Sequence, residues 1–143
     1  MTGARVWKEA NLVKPALGAA LAKLGAESVR LIHGGAYGAD WLCHVASFEF
    51  DQIVYVEVCR ADWKQFGRAA GPMRNRDMLE KKVDLVLGFP LPESIGTFDC
   101  LGAAQRRGLP LLIAMSNHEE TRALVIERCA QELKPGWEAF IGG

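Results

Sequence analysis

The chain has 143 residues, enough for one domain with a full core, and half of them are hydrophobic, as in an ordinary globular protein. Seventeen basic residues balance seventeen acidic ones, which excludes a protein held to nucleic acid mainly by bulk charge, though not one with a local basic patch. No apolar run approaches the roughly 18 to 20 residues that cross a bilayer, and no charged-then-apolar leader opens the chain, so the expectation is a cytoplasmic protein with no membrane partner.

Met1-Thr2-Gly3-Ala4-Arg5 reads as the loop after a first strand, yet no strand precedes it; either the first codon is set late or most of that strand is missing. Lys8–Leu24 carries an apolar helical stripe (Leu12, Val13, Ala16, Leu17, Ala20, Leu21, Leu24), with Pro15 marking a shifted start or a kink and Gly25 a stop. Val29–Ile32 reads as a buried strand, Gly34–Gly38 as a glycine-rich turn, and Trp41 to about Phe50 as a helix. Ile53–Val58 is a β-branched strand. Ala61–Ala70 reads as irregular, and Gly71-Pro72 precedes a helix over Met73–Lys82. A strand over Leu85–Phe89, a loop over Pro90–Thr97, a helix from about Thr97 to Arg107 and a strand over Leu111–Ala114 follow. His118–Leu133 is an amphipathic helix closed by Pro135-Gly136, the C-terminal helical extension of a single domain spanning residues 1–143.

Strands alternating with helices imply an α/β fold, a mainly parallel central sheet with helices on both faces. Ligands of such sheets sit beyond the carboxyl ends of the strands, where the Gly34–Gly38, Asp62–Arg76 and Pro90–Thr97 stretches all fall. Strand, glycine turn and helix start is the arrangement that binds phosphate, with Gly34, Gly35 and Gly38 admitting the anion; a tight turn without a ligand is the alternative. Asp40 caps or orients this loop. Arg74 and Arg76, neighbours at the start of the expected helix, suit an anion, or else are solvated or paired with Asp77 and Glu80. Thr97 caps a helix or binds phosphate, and Asp62 and Trp63 hold a ribose or base, or simply pack. His33 reads as a partly buried, hydrogen-bonded residue more readily than a catalytic one. Asp40, Asp62 and Asp99 are the carboxylates available for acid–base work. Cys43, Cys59, Cys100 and Cys129 form no CxxC pair and no zinc-like spacing with a histidine, so free thiols, no metal and no cofactor are expected.

Taken together, these motifs resemble the YspA-like branch of the SLOG superfamily, which also contains the LOG phosphoribohydrolases and the DprA/Smf DNA-processing proteins. Ile32 to Asp40 is similar to its Gly-Gly-x-x-Gly-x-Asp loop, and Thr2-Gly3-Ala4-Arg5 to the Thr-Gly-Ser-Arg ending its first strand. Ala61-Asp62-Trp63, Gly67 to Pro72 and Arg74-Asn75-Arg76-Asp77-Met78 resemble its middle signature, and Phe89-Pro90 with Gly96-Thr97 its Pro-Gly-Gly-x-Gly-Thr loop. The resemblance extends to about Ala114. It implies a Rossmann-like three-layer sandwich that binds a nucleotide or nucleotide-derived molecule. Gly3, Arg5, Gly34, Gly35, Gly38, Asp40, Asp62, Trp63, Arg74, Asn75, Arg76, Gly96 and Thr97 would form the site. It also implies a homodimer or higher oligomer, as is common among related proteins; the one-sided His118–Leu133 helix would mediate this, or would pack on its own sheet. LOG enzymes cleave the N-glycosidic bond of a nucleoside 5′-monophosphate with the Arg of Arg-x-x-x-Met and the Glu of Gly-Thr-x-x-Glu. Arg74 and Met78 match the first motif; Cys100 stands where the Glu belongs, with Asp99 the nearest acid. The expectation is therefore a nucleotide-binding sensor or sequestering module. The alternatives are a LOG-like hydrolase using Asp99 and Arg74, and a DprA-like protein that binds single-stranded DNA.

Overall fold

The structure is a computed structural model and describes residues 1–142. It is a Rossmann-like three-layer α/β sandwich, with every strand pairing parallel among the described residues. In chain order the elements are β1 (Thr2–Gly3), α1 (Ala10–Leu24), β2 (Val29–His33), α2 (Ala39–Ser47), β3 (Ile53–Val58) and α3 (Trp63–Phe66). After a 3₁₀ turn at Gly67–Ala69 come α4 (Ala70–Leu79), β4 (Val86–Phe89), α5 (Ile95–Arg106), β5 (Leu111–Met115), α6 (Glu119–Glu132) and β6 (Glu138–Ile141).

Alternation along the central strands decides the layers. Leu87, Phe89, Leu112 and Ala114 face one way and join Leu12, Val13, Ala16 and Leu17 of α1 and Cys43 of α2. Val86, Leu111, Ile113 and Met115 face the other way, against Phe98 and Leu101 of α5, Val125 and Cys129 of α6, and Leu133 just past its end. Because both faces are covered, these strands are nearly continuous apolar runs. Each large side chain removed from water contributes about 1.5–3 kcal/mol. The one-sided helix thus packs on its own sheet. Gly25 ends α1 in the left-handed conformation, with φ 62°, and its N–H donates to the Leu21 carbonyl at 3.0 Å. α1 runs through Pro15.

The strands of the mainly parallel sheet fall in two ladders: β1, β4, β5 and β6 form one, and β2 and β3 the other. Three expectations are corrected. Thr2 and Gly3 are themselves a strand, opposite Gly88 and Phe89, but two residues reach only the upper half of β4. The C-terminal extension is not wholly helical, because β6 adds to the edge of β5. Finally, α4 begins at Ala70, not Met73. Pro72 is its third residue, and in a first turn the missing N–H has no intrahelical partner to lose.

Candidate functional site

A cleft of about 740 Å³ opens at the carboxyl ends of β1 and β4. β4 ends in the buried Phe89 and Pro90, which carry the chain out of the sheet. Leu91 N–H then donates to Ser94 Oγ at 2.9 Å, turning the backbone into α5. Ser94 stands at the cap position, so Thr97 is the third helical residue and not the cap. Ile95 N–H is taken by the Glu93 carbonyl and Phe98 N–H by that of Ser94. The N–H groups of Gly96 and Thr97 have no partner among the described residues, and a Cβ at Gly96 would meet nothing within 4 Å. Free donors at the start of a twelve-residue helix concentrate positive potential.

Arg74 and Asn75 support this helix start from α4. Asn75 is buried; its Nδ2 donates to the Gly96 carbonyl at 3.3 Å and to Asp99 Oδ2 at 3.2 Å. Arg74 donates through Nε to Asn75 Oδ1 at 3.1 Å and through Nη1 to the Gly34 carbonyl at 2.9 Å. The guanidinium is therefore fixed between the glycine turn and Asn75, which in turn bonds to α5. Across the cleft, the Arg5 guanidinium lies over the Trp63 ring, 4.9 Å from its centroid. The Trp63 edge packs so closely that a Cβ on Gly71 would come within 3.0 Å of it.

Asp40 holds the glycine turn. Its Oδ2 accepts from Gly34 N–H at 3.0 Å and from Ala36 N–H at 3.3 Å. Oδ1 has no partner although the side chain is only 4% exposed and lines the cleft. Burial pushes this carboxyl above its ordinary 3.8, against the pull of the Ala36 N–H bond, the N-terminal ammonium, Arg74 and the Gly34 N–H bond. Behind the turn, Gly35 N–H donates to His33 Nδ1 at 3.0 Å, and His33 Nε2 lies 2.8 Å from His44 Nδ1. With Nδ1 accepting, Nε2 carries the proton and donates to His44. Burial, followed by the effects of His44, the N-terminal ammonium, Arg60 and Arg74, lowers His33 to about 4. His33 is thus a neutral structural residue.

The structure brings Gly3, Arg5, Asp40, Trp63, Arg74, Asn75, Gly96, Thr97 and Asp99 to one cleft. Gly34, Gly35 and Gly38 are not in its wall, and the N–H groups of Gly34, Gly35 and Ala36 are already bonded to Asp40 and His33. The turn that read as a phosphate cradle instead braces the site from behind. Gly38 lets the chain cross it: a Cβ there would fall 2.4 Å from the carbonyl oxygens of Ala4 and Arg5. Asp62 caps α3 by accepting from Gln65 N–H at 3.0 Å. Arg76 is exposed and outside the cleft. Two residues apart on a helix means about 200° around its axis, and both arginines lie past the first turn of α4, so the expected pair at a helix start does not exist. Arg68, Glu93 and Thr121 also line the cleft. Arg68 and Glu93 fall inside loops singled out from the sequence; Thr121, on α6, had no signal.

Among the described residues no cluster of three histidine, cysteine or acidic side chains offers a metal site, the four cysteines are free, and no helix is long and apolar enough to cross a membrane. Over 117 residues the chain is 38% identical to the Gene 61 protein of Mycobacterium phage D29, covering 78% of this chain and 91% of the phage protein. No family model and no solved structure matches it.

Proposed function

The chain belongs to the family of this phage protein, and we propose that it binds a nucleotide or nucleotide derivative in the cleft, as a sensor or sequestering module. The observation that carries this reading is the start of α5, where two unpartnered N–H groups stand beside an immobilised guanidinium. A phosphate there accepts from Gly96 and Thr97 N–H and from Arg74, whose second terminal nitrogen is not engaged by Gly34. Trp63, with the Arg5 guanidinium over its ring, offers an aromatic surface for a base at the cleft wall. The cleft volume falls in the range of small-molecule sites, about 300–1,000 Å³. A SLOG relationship implies the same ligand class.

A panel of nucleoside mono-, di- and triphosphates read by thermal shift and titration calorimetry tests this reading. Ligand at about one hundred times its dissociation constant stabilises the fold by about 2.7 kcal/mol. Arg74→Ala should weaken binding at least tenfold; a panel with no binder up to millimolar concentration rejects the proposal.

One observation favours a second reading. Asp99 lies in the cleft, and Asn75 orients its carboxylate. If the bound molecule is a nucleoside monophosphate, Asp99 would serve as the acid–base group for cleaving its N-glycosidic bond. Release of free base, abolished in Asp99→Asn, supports hydrolysis; intact nucleotide after prolonged incubation leaves the binding role alone. Salt-sensitive gel shifts with single-stranded DNA would instead favour the DprA-like alternative.

A further inference from the structure

We propose that Arg128 of α6 is a positioning residue for the anion site: it holds the Pro90–Thr97 loop so that the free N–H groups of Gly96 and Thr97 stand at the cleft. The inference rests on the anion-binding reading of that cleft, and adds to it a residue that is not in the cleft wall. α6 lies beyond Ala114, where the resemblance to the SLOG proteins ends, and of its residues only Thr121 lines the cleft.

The loop shapes itself but does not place itself. Leu91 N–H donates to Ser94 Oγ, Ser94 N–H to the Leu91 carbonyl at 3.0 Å and Ile95 N–H to the Glu93 carbonyl at 2.9 Å, all within the turn. Leu91 packs against the core and Thr97 is buried. Between them no residue is buried, and Glu93, Ile95 and Gly96 are exposed. Among the described residues, two side chains from other elements bond to this stretch. Asn75 Nδ2 donates to the Gly96 carbonyl at 3.3 Å, and Arg128 Nη1 donates to the Pro92 carbonyl. Asn75 thus holds the end of the loop, and Arg128 its outer turn.

Arg128 acts from a fixed base. Val125 and Cys129, beside it on α6, are fully buried and seat the helix on the sheet. Its guanidinium lies over the Phe98 ring, 4.7 Å from the centroid, and its Nε donates to Glu132 Oε1 at 3.3 Å, one turn on. Phe98 directly follows Thr97 in the chain and is 4% exposed. One planar group therefore touches the loop before the free donors and the ring after them, which fixes both sides of the segment that carries them. A cation over an aromatic face and a charged donor on a carbonyl are each stronger than their neutral counterparts. A guanidinium makes both contacts at once, where a compact ammonium suits only one. Donors held in place before an anion arrives need no ordering when it binds.

The test uses the full chain, inorganic phosphate as the probe, and the amide resonances of Ile95, Gly96 and Thr97. Arg128→Met and Arg128→Gln keep an apolar stem and remove the charge, and either one that folds decides. Without phosphate, each should shift the three resonances and speed their exchange by about fivefold or more. Each should also weaken phosphate binding by about fivefold to tenfold. Arg128→Lys, which keeps a donor for the Pro92 carbonyl, should recover part of that loss. Val125→Ala loosens α6 but leaves the Pro92 bond in place. Read well below its thermal midpoint, it should bind phosphate within about twofold of the unaltered chain. Unchanged phosphate affinity in the folded Met or Gln variant overturns the proposal. So does an equal loss in Val125→Ala, which would assign the effect to general loosening of α6. If the unaltered chain binds no phosphate at millimolar concentration, the anion reading of the cleft fails, and amide exchange still decides on Arg128: Gly96 and Thr97 exchanging alike in variant and unaltered chain refute its positioning role.

Discussion

Lowering the pH tests the His33 arrangement. The imidazole accepts from Gly35 N–H through Nδ1, so protonating that nitrogen sets two N–H groups against each other and places a charge in a buried site. The folded-state value of about 4, against 6.5 for the exposed side chain, corresponds to about 3 kcal/mol at about 1.4 kcal/mol per unit. The unfolded chain binds the proton more tightly. This stability is therefore fully present above pH 6.5 and is lost as the pH falls toward 4. Asp40 works in the opposite sense: its raised carboxyl favours the folded state at low pH, and that contribution is lost as the pH rises through its folded value. The two are separated by a variant. His33→Asn keeps an acceptor for Gly35 N–H and removes the titration. Urea unfolding at pH 7.5 and 4.5 should show the wild type losing about 2–3 kcal/mol more than the variant across that interval. Equal losses would refute the neutral, Nδ1-accepting histidine.

Gly96→Ala separates stability from function. With open space around Gly96, alanine in the first turn should leave stability unchanged or raise it by up to about 1 kcal/mol, while nucleotide affinity falls at least tenfold, read by calorimetry. Gly38→Ala should cost about 3 kcal/mol or more, because φ 75° and two backbone carbonyls both exclude a Cβ. Gly25→Ala, at φ 62° with nothing within 4 Å, should cost only about 1 kcal/mol; denaturant midpoints compare the two. Phe89→Ala should cost about 3–5 kcal/mol, as for other fully buried aromatics.

The layer pattern was legible because it depends on periodicity: the apolar runs at Val86–Phe89 and Leu111–Met115 and the stripe of α1 each specify one element. β6 was not, since Glu138-Ala-Phe-Ile is a short edge strand with little buried surface. The start of α4 was misread because proline usually marks a break, whereas position within the first turn decides its cost. That Arg74, Asn75, Gly96, Thr97 and Asp99 fall at one edge of the sheet was legible, and they line one cleft. Their roles were not, because side-chain bonds between distant segments fix them. Gly34 and Gly35 have the composition of a phosphate loop, and only the bonds from Asp40 and His33 show that its donors are occupied.

The double anchoring of Arg74 has a consequence for how a ligand would be received. A surface arginine loses much of its rotamer freedom when it clasps an anion, and that loss subtracts from affinity. Here the Gly34 carbonyl and Asn75 have already removed it during folding. Association should therefore be enthalpically favourable with a small entropic penalty, rapid, and accompanied by little rearrangement of α4. An anion entering the cleft would meet a guanidinium already held in place and aimed.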